Sequence, residues 1–342
     1  MRIAIATDAW PPQVNGVVTT LGQTRLQLEK AGHQVLMVTP EGRCTVPMPT
    51  YPEIRLSIFA SRGIRRDLNA FEPDCVHIAT EGPIGLAVRG YCMRRRMPFT
   101  TAYHTQFPEY VRQRFPVPIP WTAAMLRRFH GPAVRTMVPT EGVRQTLLKR
   151  GFDDVVLWSR GVQTDVFTPT NPKDYKLPGP IWVYVGRVAV EKNIEEFLSL
   201  GLPGSKIIIG DGPDRERLTE ANPHCHFLGY RFGEDLASHL AGADVFVFPS
   251  KTDTFGVVML EAMACGLPIA AFPVTGPVDV VKPGVTGVLD EDLYAACSRA
   301  LDLNREDCRQ YAEQRSWRRA TDQFLANLAP RSAAFAETAQ VR

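Results

Sequence analysis

The most constraining feature of this sequence is the stretch 243–273, which has the pattern of a strand–loop–helix–strand unit. The apolar run Val245–Phe248 stops at a proline, and this predicts a buried strand of a parallel sheet. The apolar segment 255–264 predicts a helix that ends at Gly266, and 269–272 predicts a second buried strand. Strands joined through a helix run parallel, so an α/β fold follows.

Two acidic residues frame the start of the predicted helix. Asp253 precedes it, Glu261 lies in its second turn, and Phe255, Gly256 and Val257 stand at its N-terminus. That end of a helix carries about +0.5 of a charge and binds phosphate. Acids beside it suit a ligand with hydroxyls and phosphates, such as a nucleotide-sugar. The same spacing also fits a helix capped by Asp253 and an ordinary exposed Glu261.

The segment 250–268, SKTDTFGVVMLEAMACGLP, closely resembles the signature of the retaining glycosyltransferases of family 4. The family pattern is acid-x-FG-x4-Glu-A-x-A-x-G-x-P, and its first acid is usually Glu, where this chain has Asp253. The resemblance covers roughly residues 1–328. It implies the GT-B fold, which is an α/β architecture of two Rossmann-like parallel-sheet domains facing across a cleft.

Length and composition agree with a two-domain globular protein. A chain of 342 residues is long enough for two domains of about 150 residues each. No apolar run approaches ~18 residues, and the first strand is too short for a signal sequence, so neither a membrane span nor a leader is expected. The seven cysteines form no CxxC pair, which argues against disulfides or a zinc site and favours a cytoplasmic location.

The charge is distributed unevenly along the chain. Residues 1–165 hold 21 Lys and Arg against 13 Asp and Glu, a balance of +8, whereas the remainder has a balance of −5. A basic N-terminal half indicates an anionic partner on that side. Ordinary solvated surface charge is the alternative. We expect no nucleic acid among the partners.

The chain begins with a Rossmann-type unit of strand, loop, helix and strand. The strands are predicted at 2–6 and 34–38, with a helix over 17–31. The loop lacks GxGxxG, so a dinucleotide fingerprint is absent. Gly16 at the helix start could admit a phosphate, although an Asn-Gly pair is more often only a turn. The resemblance favours a donor contact, because PPQVNGVV looks like the family's first cleft-facing loop.

Tyr103 and His104 stand at the end of the strand predicted over 99–103. Open α/β sheets bind ligands at the carboxyl ends of their strands. A lone His is more often structural than functional. However, the segment 102–110, AYHTQFPEY, resembles family members that act on lipid acceptors, and this implies that His104 lies near the reacting sugar.

The segment 121–130 predicts a short basic amphipathic helix. On a helical wheel its apolar residues, from Trp121 round to Phe129, share an arc that excludes Arg127 and Arg128. With the arginines at 94–96, such a helix could lie on an anionic membrane. A helix packed on its own sheet fits the pattern equally well.

The second half repeats the strand–loop–helix–strand unit and carries candidate donor contacts. Gly186 follows the strand predicted over 181–185, and Arg187 and Lys192 could clamp a diphosphate. GRVAVEKN looks like the family element whose Arg and Lys contact that group. The resemblance also implies that Gly212 lies in a tight turn at the site and that Leu228 belongs to the strand that receives the nucleobase.

The predicted organisation is an acceptor-side domain over 1–168 and a donor-binding domain over 169–315. A terminal helix over 316–330 crosses back to the first domain, and 331–342 form a disordered tail. The prolines of 169–180 agree with a linker there.

The resemblance implies transfer of a hexose to a hydroxyl acceptor with retention of configuration. His104, Arg187, Lys192, Asp253 and Glu261 are its implied catalytic residues, with no metal and no cofactor besides the nucleotide-sugar. The acceptor is expected to be diacylglycerol, another membrane lipid or a glycan, reached at the inner face of the membrane.

Three alternatives remain open from the residues. One is a soluble acceptor, the second is a nucleotide-sugar epimerase of the same architecture, and the third is a binding module without turnover. UDP-glucose, UDP-glucuronate, UDP-galactose and GDP-mannose all fit as donors.

Overall fold

The computed structural model describes residues 1–48, 51–104 and 119–331, and the chain divides into two compact units. The first comprises Met1–Ser159 and the segment from Arg318, and the second comprises Arg160–Trp317. The division lies nine residues before the boundary predicted at residue 168, because residues 160–168 pack within the second unit. Val162 and Phe167 are buried in its core.

The first unit is built on a six-stranded parallel sheet with the order β2-β1-β5-β6-β7-β8. β3 and β4 form a separate antiparallel hairpin. The strands are β1 (Arg2–Ala6), β2 (Gln34–Val38), β3 (Thr45–Met48), β4 (Tyr51–Ser57), β5 (Cys75–Ile78), β6 (Thr100–Ala102), β7 (Arg135–Val138) and β8 (Val155–Leu157).

Helices cover both faces of this sheet. The terminal helix packs on one face, where Phe324 and Leu328 are buried with Ile3, Ile5 and Trp158. The other helices of this unit are α1 (Gly16–Lys30), α2 (Ser61–Phe71), α3 (Pro83–Arg95), α4 (Ile119–His130) and α5 (Glu141–Lys149).

The second unit repeats the plan with the strand order β11-β10-β9-β12-β13-β14. Its strands are β9 (Ile181–Val185), β10 (Ser205–Ile209), β11 (His226–Gly229), β12 (Val245–Phe248), β13 (Ile269–Ala271) and β14 (Gly287–Leu289). Its helices are α6 (Ile194–Ser199), α7 (Arg215–Ala221), α8 (Gly233–Ala241), α9 (Val257–Ala264), α10 (Pro277–Val280), α11 (Leu293–Ala300) and α12 (Arg305–Glu313). The terminal helix α13 (Trp317–Asn327) follows them in the chain and, from Arg318, belongs to the first unit.

The central strand of the second sheet shows why these apolar runs form a buried sheet. Val183 packs into one hydrophobic cluster, whereas its neighbours Trp182 and Tyr184 pack into another. Successive side chains of a strand point to opposite faces, so both faces of this sheet are covered. The polar loops are therefore left at the strand ends, and those at the carboxyl ends carry the candidate site.

Several predicted elements are confirmed. The strands predicted at 2–6, 34–38, 181–185 and 245–248 have those bounds, and the α/β plan of two Rossmann-like parallel-sheet units is confirmed. The hairpin of β3 and β4 was not predicted, because prolines within these strands interrupt the strand pattern. Within 1–48, 51–104 and 119–331, no helix combines the length and apolarity that crossing a membrane requires. The predicted disorder of the tail concerns residues that, apart from Arg331, lie outside those ranges.

Candidate active site

The carboxyl edge of the second sheet is organised by Val188, which lies in the loop after β9. Its N–H donates to the carbonyl of Asp211 at 2.9 Å, and its own carbonyl accepts from the N–H of Asp214 at 3.1 Å. A Cβ on Gly212 would lie 2.3 Å from the Val188 oxygen, so this approach requires glycine. The loops after β9 and β10 therefore form one compact wall.

Arg187 stands on this wall, directly after Gly186 at the end of β9, and it is half-buried. The hydroxyl of Tyr184 donates to the Arg187 carbonyl at 2.8 Å, which holds the backbone at this point. The predicted cation is thus carried by a loop whose backbone is held in place by a side chain of β9.

Lys192 and Asp253 form an ion pair between the loop after β9 and the loop after β12. Lys192 Nζ lies 2.7 Å from Oδ1 and 2.8 Å from Oδ2 of Asp253, and both side chains are 18% exposed. The N-cap of α9 is Gly256, not Asp253, so the capping alternative does not describe this acid. The structure thus brings two predicted site residues into direct contact.

The start of α9 needs a left-handed residue, which explains why the helix begins two residues later than predicted. Gly256 has φ +77°, and a Cβ there would also crowd the side chains of Met259 and Phe248. Phe255 is buried in the core, so its side chain serves packing. At Gly256, which has no side chain, the accessible surface is backbone, as a phosphate contact would require.

Glu261 shares the accessible face of α9 with its first residues. Val257, Val258 and Glu261 are partly buried, whereas the other positions of this helix are buried. Residues three and four apart lie on one helical face, so the carboxyl group is on the same side as the helix start. Burial raises the pKa of Glu261 to about 7. The alternative of an ordinary exposed Glu261 therefore does not describe this carboxyl group.

Leu228 is the extra residue of a β-bulge at the edge of the sheet. The pairing of β10 with β11 passes from Ile208–Phe227 to Ile209–Gly229 and so skips Leu228. Bulged residues leave backbone polar groups outside the ladder, which suits a predicted backbone contact to a base. Just beyond it, the rings of Tyr230 and Phe232 stack at 5.8 Å and are exposed. The sequence analysis missed this aromatic pair.

In the first unit, Asp8 stands at the carboxyl end of β1 and fixes the start of α3. Its Oδ1 accepts from the N–H of Ile84 at 2.9 Å, and its Oδ2 accepts from the hydroxyl of Thr80 at 2.9 Å. Burial raises the pKa of Asp8. Sequence reasoning missed this residue, although an acid immediately after a buried strand is a usable signal.

His104 lies at the same edge, where its ring meets Trp158 edge-on at 5.5 Å. Tyr103, predicted on the acceptor side, is instead 2% exposed and packs with Leu126 and Val138. Its side chain belongs to the core because helices cover both faces of this sheet, so a side chain at the end of β6 is buried on either face. The rest of the AYHTQFPEY segment, residues 105–110, lies outside the described residues.

A buried histidine that the sequence analysis did not single out connects α4 to this edge. His130 Nε2 is 3.2 Å from Glu81 Oε1, and its Nδ1 is 2.9 Å from Thr101 Oγ1. Glu81 follows β5, so its carboxylate and the imidazole link the end of α4 to the carboxyl ends of the strands.

The predicted apolar arc of α4 is divided between core and solvent. Its buried side is formed by Thr122, Ala123, Leu126, Phe129 and His130. Trp121 is 76% exposed and Met125 is 54% exposed, while Arg127 and Arg128 are also exposed. The single apolar arc on the wheel thus comprises a buried part and the exposed Trp121 and Met125. The helix packs on its own sheet and also presents an apolar and basic outer face.

Gly16 is the first residue of α1, at the predicted position. Asn15 caps this helix, and its Oδ1 accepts from the N–H groups of Val17 and Val18 at 3.0 Å each. This cap satisfies donors that a phosphate would otherwise bind, so α9 has the more available N-terminus.

Within residues 1–48, 51–104 and 119–331, no three His, Cys, Asp or Glu side chains converge as a metal site would require.

Comparisons with known proteins agree with the motifs. Residues 14–166 match the family model described as Glycosyltransferase Family 4, and residues 179–303 match the model described as Glycosyl transferases group 1. The GDP-mannose-dependent alpha-mannosyltransferase of Mycobacterium tuberculosis is 33% identical over 84% of this chain and 83% of its own length. The alpha-monoglucosyldiacylglycerol synthase of Acholeplasma laidlawii is 26% identical over 79% of each chain.

Solved structures share the fold. Sucrose-phosphate synthase from Thermosynechococcus elongatus has a TM-score of 0.74 and 20% identity, with the whole of both chains covered. Two family models together span most of the sequence, and one relative is more than 30% identical over most of both chains. Both findings agree with the family that the motifs at the sheet edges resemble. The chain therefore belongs to the group 1 glycosyltransferases of family 4.

Proposed function

We propose that this glycosyltransferase transfers a hexose from a nucleotide-sugar to a hydroxyl group of a membrane lipid or glycolipid, with retention of configuration. The observation that carries the donor half is the contact of Lys192 with Asp253 beside the N-terminus of α9. This contact brings a cation, an acid and a helix N-terminus together at one sheet edge. These groups could bind the phosphates and the sugar hydroxyls of a sugar diphosphate.

The diphosphate would be bound by Arg187, Lys192 and the first N–H groups of α9. Charge-assisted hydrogen bonds from a guanidinium and an ammonium are strong, and the helix end adds a partial positive charge. These groups would stabilise the negative charge that develops on the leaving diphosphate. No divalent metal is assigned a role in this proposal.

Glu261 would accept hydrogen bonds from the ribose hydroxyls of the donor. Burial alone raises its pKa to about 7, so hydroxyl donors would stabilise its ionised form. Asp253, held through Lys192, would bind the hexose and determine its orientation. Its shorter side chain, compared with the Glu usual in the family, would draw the sugar closer to the loop after β12.

On the acceptor side, His104 would position the attacking hydroxyl at the edge of the first sheet. The resemblance implies front-face attack, in which the leaving phosphate takes the proton of the acceptor. Because that mechanism leaves the proton to the phosphate, we assign the His104 imidazole, which packs edge-on against Trp158, to positioning rather than to proton abstraction.

A lipid acceptor is supported by the Acholeplasma relative, which is named an alpha-monoglucosyldiacylglycerol synthase, and by the outer face of α4. Trp121 and Met125 are one turn apart and exposed, and two arginines follow them. A shallow apolar face with basic residues gives reversible binding to anionic membranes. We accordingly infer a peripheral protein of the inner membrane face.

The donor identity is best tested by thermal shift with a panel of nucleotide-sugars. The cognate donor stabilises the fold by RT ln(1+[L]/Kd), about 2.7 kcal/mol at a hundredfold excess over Kd. GDP-mannose is the first candidate, since the mycobacterial relative is named for it. The donor that stabilises should then yield a glycolipid with diacylglycerol vesicles. Release of free epimerised nucleotide-sugar without acceptor would instead favour an epimerase.

A further inference from the structure

A groove of about 340 Å³ lies on the first unit, outside the candidate donor site. One wall is formed by Trp10 and Pro11, which follow β1. The other is the outer face of α1, where Val18, Gly22 and Leu26 recur every four residues. Such residues form one stripe on a helix. Leu26 is 39% exposed, so the stripe is open to solvent rather than covered by the protein.

The charges at the groove neutralise each other. Arg25 Nε and Glu29 Oε1 are 2.8 Å apart, and they are the charged residues among the described residues that line the groove. A phosphate or carboxylate ligand would need a cation that is not already paired. The groove therefore favours an uncharged, apolar ligand.

The position of the groove connects it to the candidate acceptor edge. Trp10 stands two residues after Asp8, whose carboxylate holds the loop at the carboxyl end of β1. A ligand whose polar end lies at that edge could extend its apolar part along Trp10 and α1. One wall of the groove and the edge at which the proposed acceptor hydroxyl reacts are therefore parts of the same segment after β1.

We propose that this groove binds one acyl chain of the acceptor lipid. The proposal rests on the proposed function to the extent that the acceptor is a lipid. The volume of the groove is at the lower end of the ~300–1,000 Å³ range of ligand pockets, so the groove suits a single acyl chain. Full burial of a methylene improves affinity about fourfold, and a groove open on one side should give about twofold per methylene.

Gly22 offers a direct test, because it lines the groove and no atom lies within 4 Å of a Cβ built there. Gly22→Leu should fill the groove and fold well, since leucine favours a helix interior more than glycine does. Gly22→Ala is the matched control, because it raises the helix propensity as Gly22→Leu does but adds little side-chain volume to the groove.

For diacylglycerols presented in mixed micelles, we expect Gly22→Leu to raise the KM of long-chain acceptors about tenfold or more. The KM of a short-chain acceptor and of the donor should stay at the wild-type value, and Gly22→Ala should behave like the wild type. Equal KM values for wild type and Gly22→Leu at every chain length would overturn the groove assignment.

A direct measurement of lipid binding tests the groove independently of sugar transfer. In a Trp121→Phe background, Trp158, Trp182 and Trp317 are buried and Trp10 remains the partly accessible tryptophan. A diacylglycerol brominated on its acyl chain should quench Trp10 fluorescence, and adding Gly22→Leu should abolish the quenching.

The two readouts have distinguishable outcomes. Quenching that depends on Gly22, in a protein that transfers no sugar to lipid, would contradict the lipid acceptor but support the groove. Sugar transfer to diacylglycerol without Trp10 quenching would overturn the groove and leave the proposed function intact.

Discussion

The ammonium of Lys192 lies 2.7 Å from one carboxylate oxygen of Asp253 and 2.8 Å from the other. A cation expected to bind the donor diphosphate is thus paired with the acid expected to bind the donor sugar. The pair is 18% exposed on each side, so it is only partly screened by water. An entering diphosphate would share the ammonium rather than meet an isolated charge.

Removal of either donor cation should impair catalysis more than folding. We expect Arg187→Ala and Lys192→Ala to lower kcat/KM by about 10²–10³, because each loses charge stabilisation of the leaving diphosphate. Steady-state kinetics and a melting curve would test this. Arg217→Ala, which removes an exposed cation of the same unit, is the control and should retain activity. Near-normal turnover in a folded Lys192→Ala protein would exclude the donor-site assignment.

Asp253 should tolerate the acid that is usual in the family. Asp253→Glu keeps the charge that binds Lys192 and should stay within about tenfold of wild-type kcat/KM. Asp253→Asn removes the charge and should cost about 10²-fold, since it leaves Lys192 without its carboxylate and the sugar without an ionised partner. The comparison needs only kinetics on the two variants, and similar activities for both would mean that charge at this position is unimportant.

Glu261 should make stability fall as pH rises. Its pKa is about 7 in the folded chain against 4.5 for the unfolded group, so the folded state retains the proton between these values. The contribution of Glu261 to the free energy of unfolding is therefore most favourable below pH 4.5 and decreases through pH 7, by no more than about 3 kcal/mol. Urea denaturation of wild type and Glu261→Gln at pH 5 and pH 8 would isolate this effect.

The Gln variant should gain stability relative to the wild type at pH 8 but not at pH 5. It should also bind the nucleotide about tenfold more weakly, because an amide is a poorer acceptor for ribose hydroxyls. A pH-independent stability difference between the two proteins would contradict the raised pKa.

Activity should persist after chelation of divalent metals. The proposed diphosphate site already has two cations and a helix end, so EDTA should change the rate less than twofold. Complete loss of activity in EDTA, restored by Mg²⁺ or Mn²⁺, would show that a metal neutralises the leaving group.

Membrane binding should require the outer face of α4. Arg127→Glu with Arg128→Glu should abolish co-sedimentation with anionic vesicles at low salt, since each basic residue contributes roughly 1 kcal/mol at such a surface. Arg318→Glu with Arg319→Glu makes the same charge change on the terminal helix and should retain binding. If the wild type stays in the supernatant with anionic vesicles, a soluble acceptor becomes the better proposal.

The sequence by itself determined the elements of the fold and the residue types of the candidate donor site. Buried parallel strands are continuous apolar runs, and such runs can be read locally, as at Ile181–Val185 and Val245–Phe248. The signature around Glu261 placed a helix start and two acids together because their spacing spans a single loop and helix.

Only the tertiary structure decided which of these residues touch. Lys192 and Asp253 are 61 positions apart, and their pairing depends on β9 and β12 being neighbours in the sheet. Likewise, a helical wheel of α4 could not separate the exposed Trp121 and Met125 from the buried Leu126. The wheel shows where the apolar stripe of the helix lies but not how much of that stripe the sheet covers. Tyr103 turned inward and Leu228 became a bulge for the same reason, since partners distant in sequence determine strand register and burial.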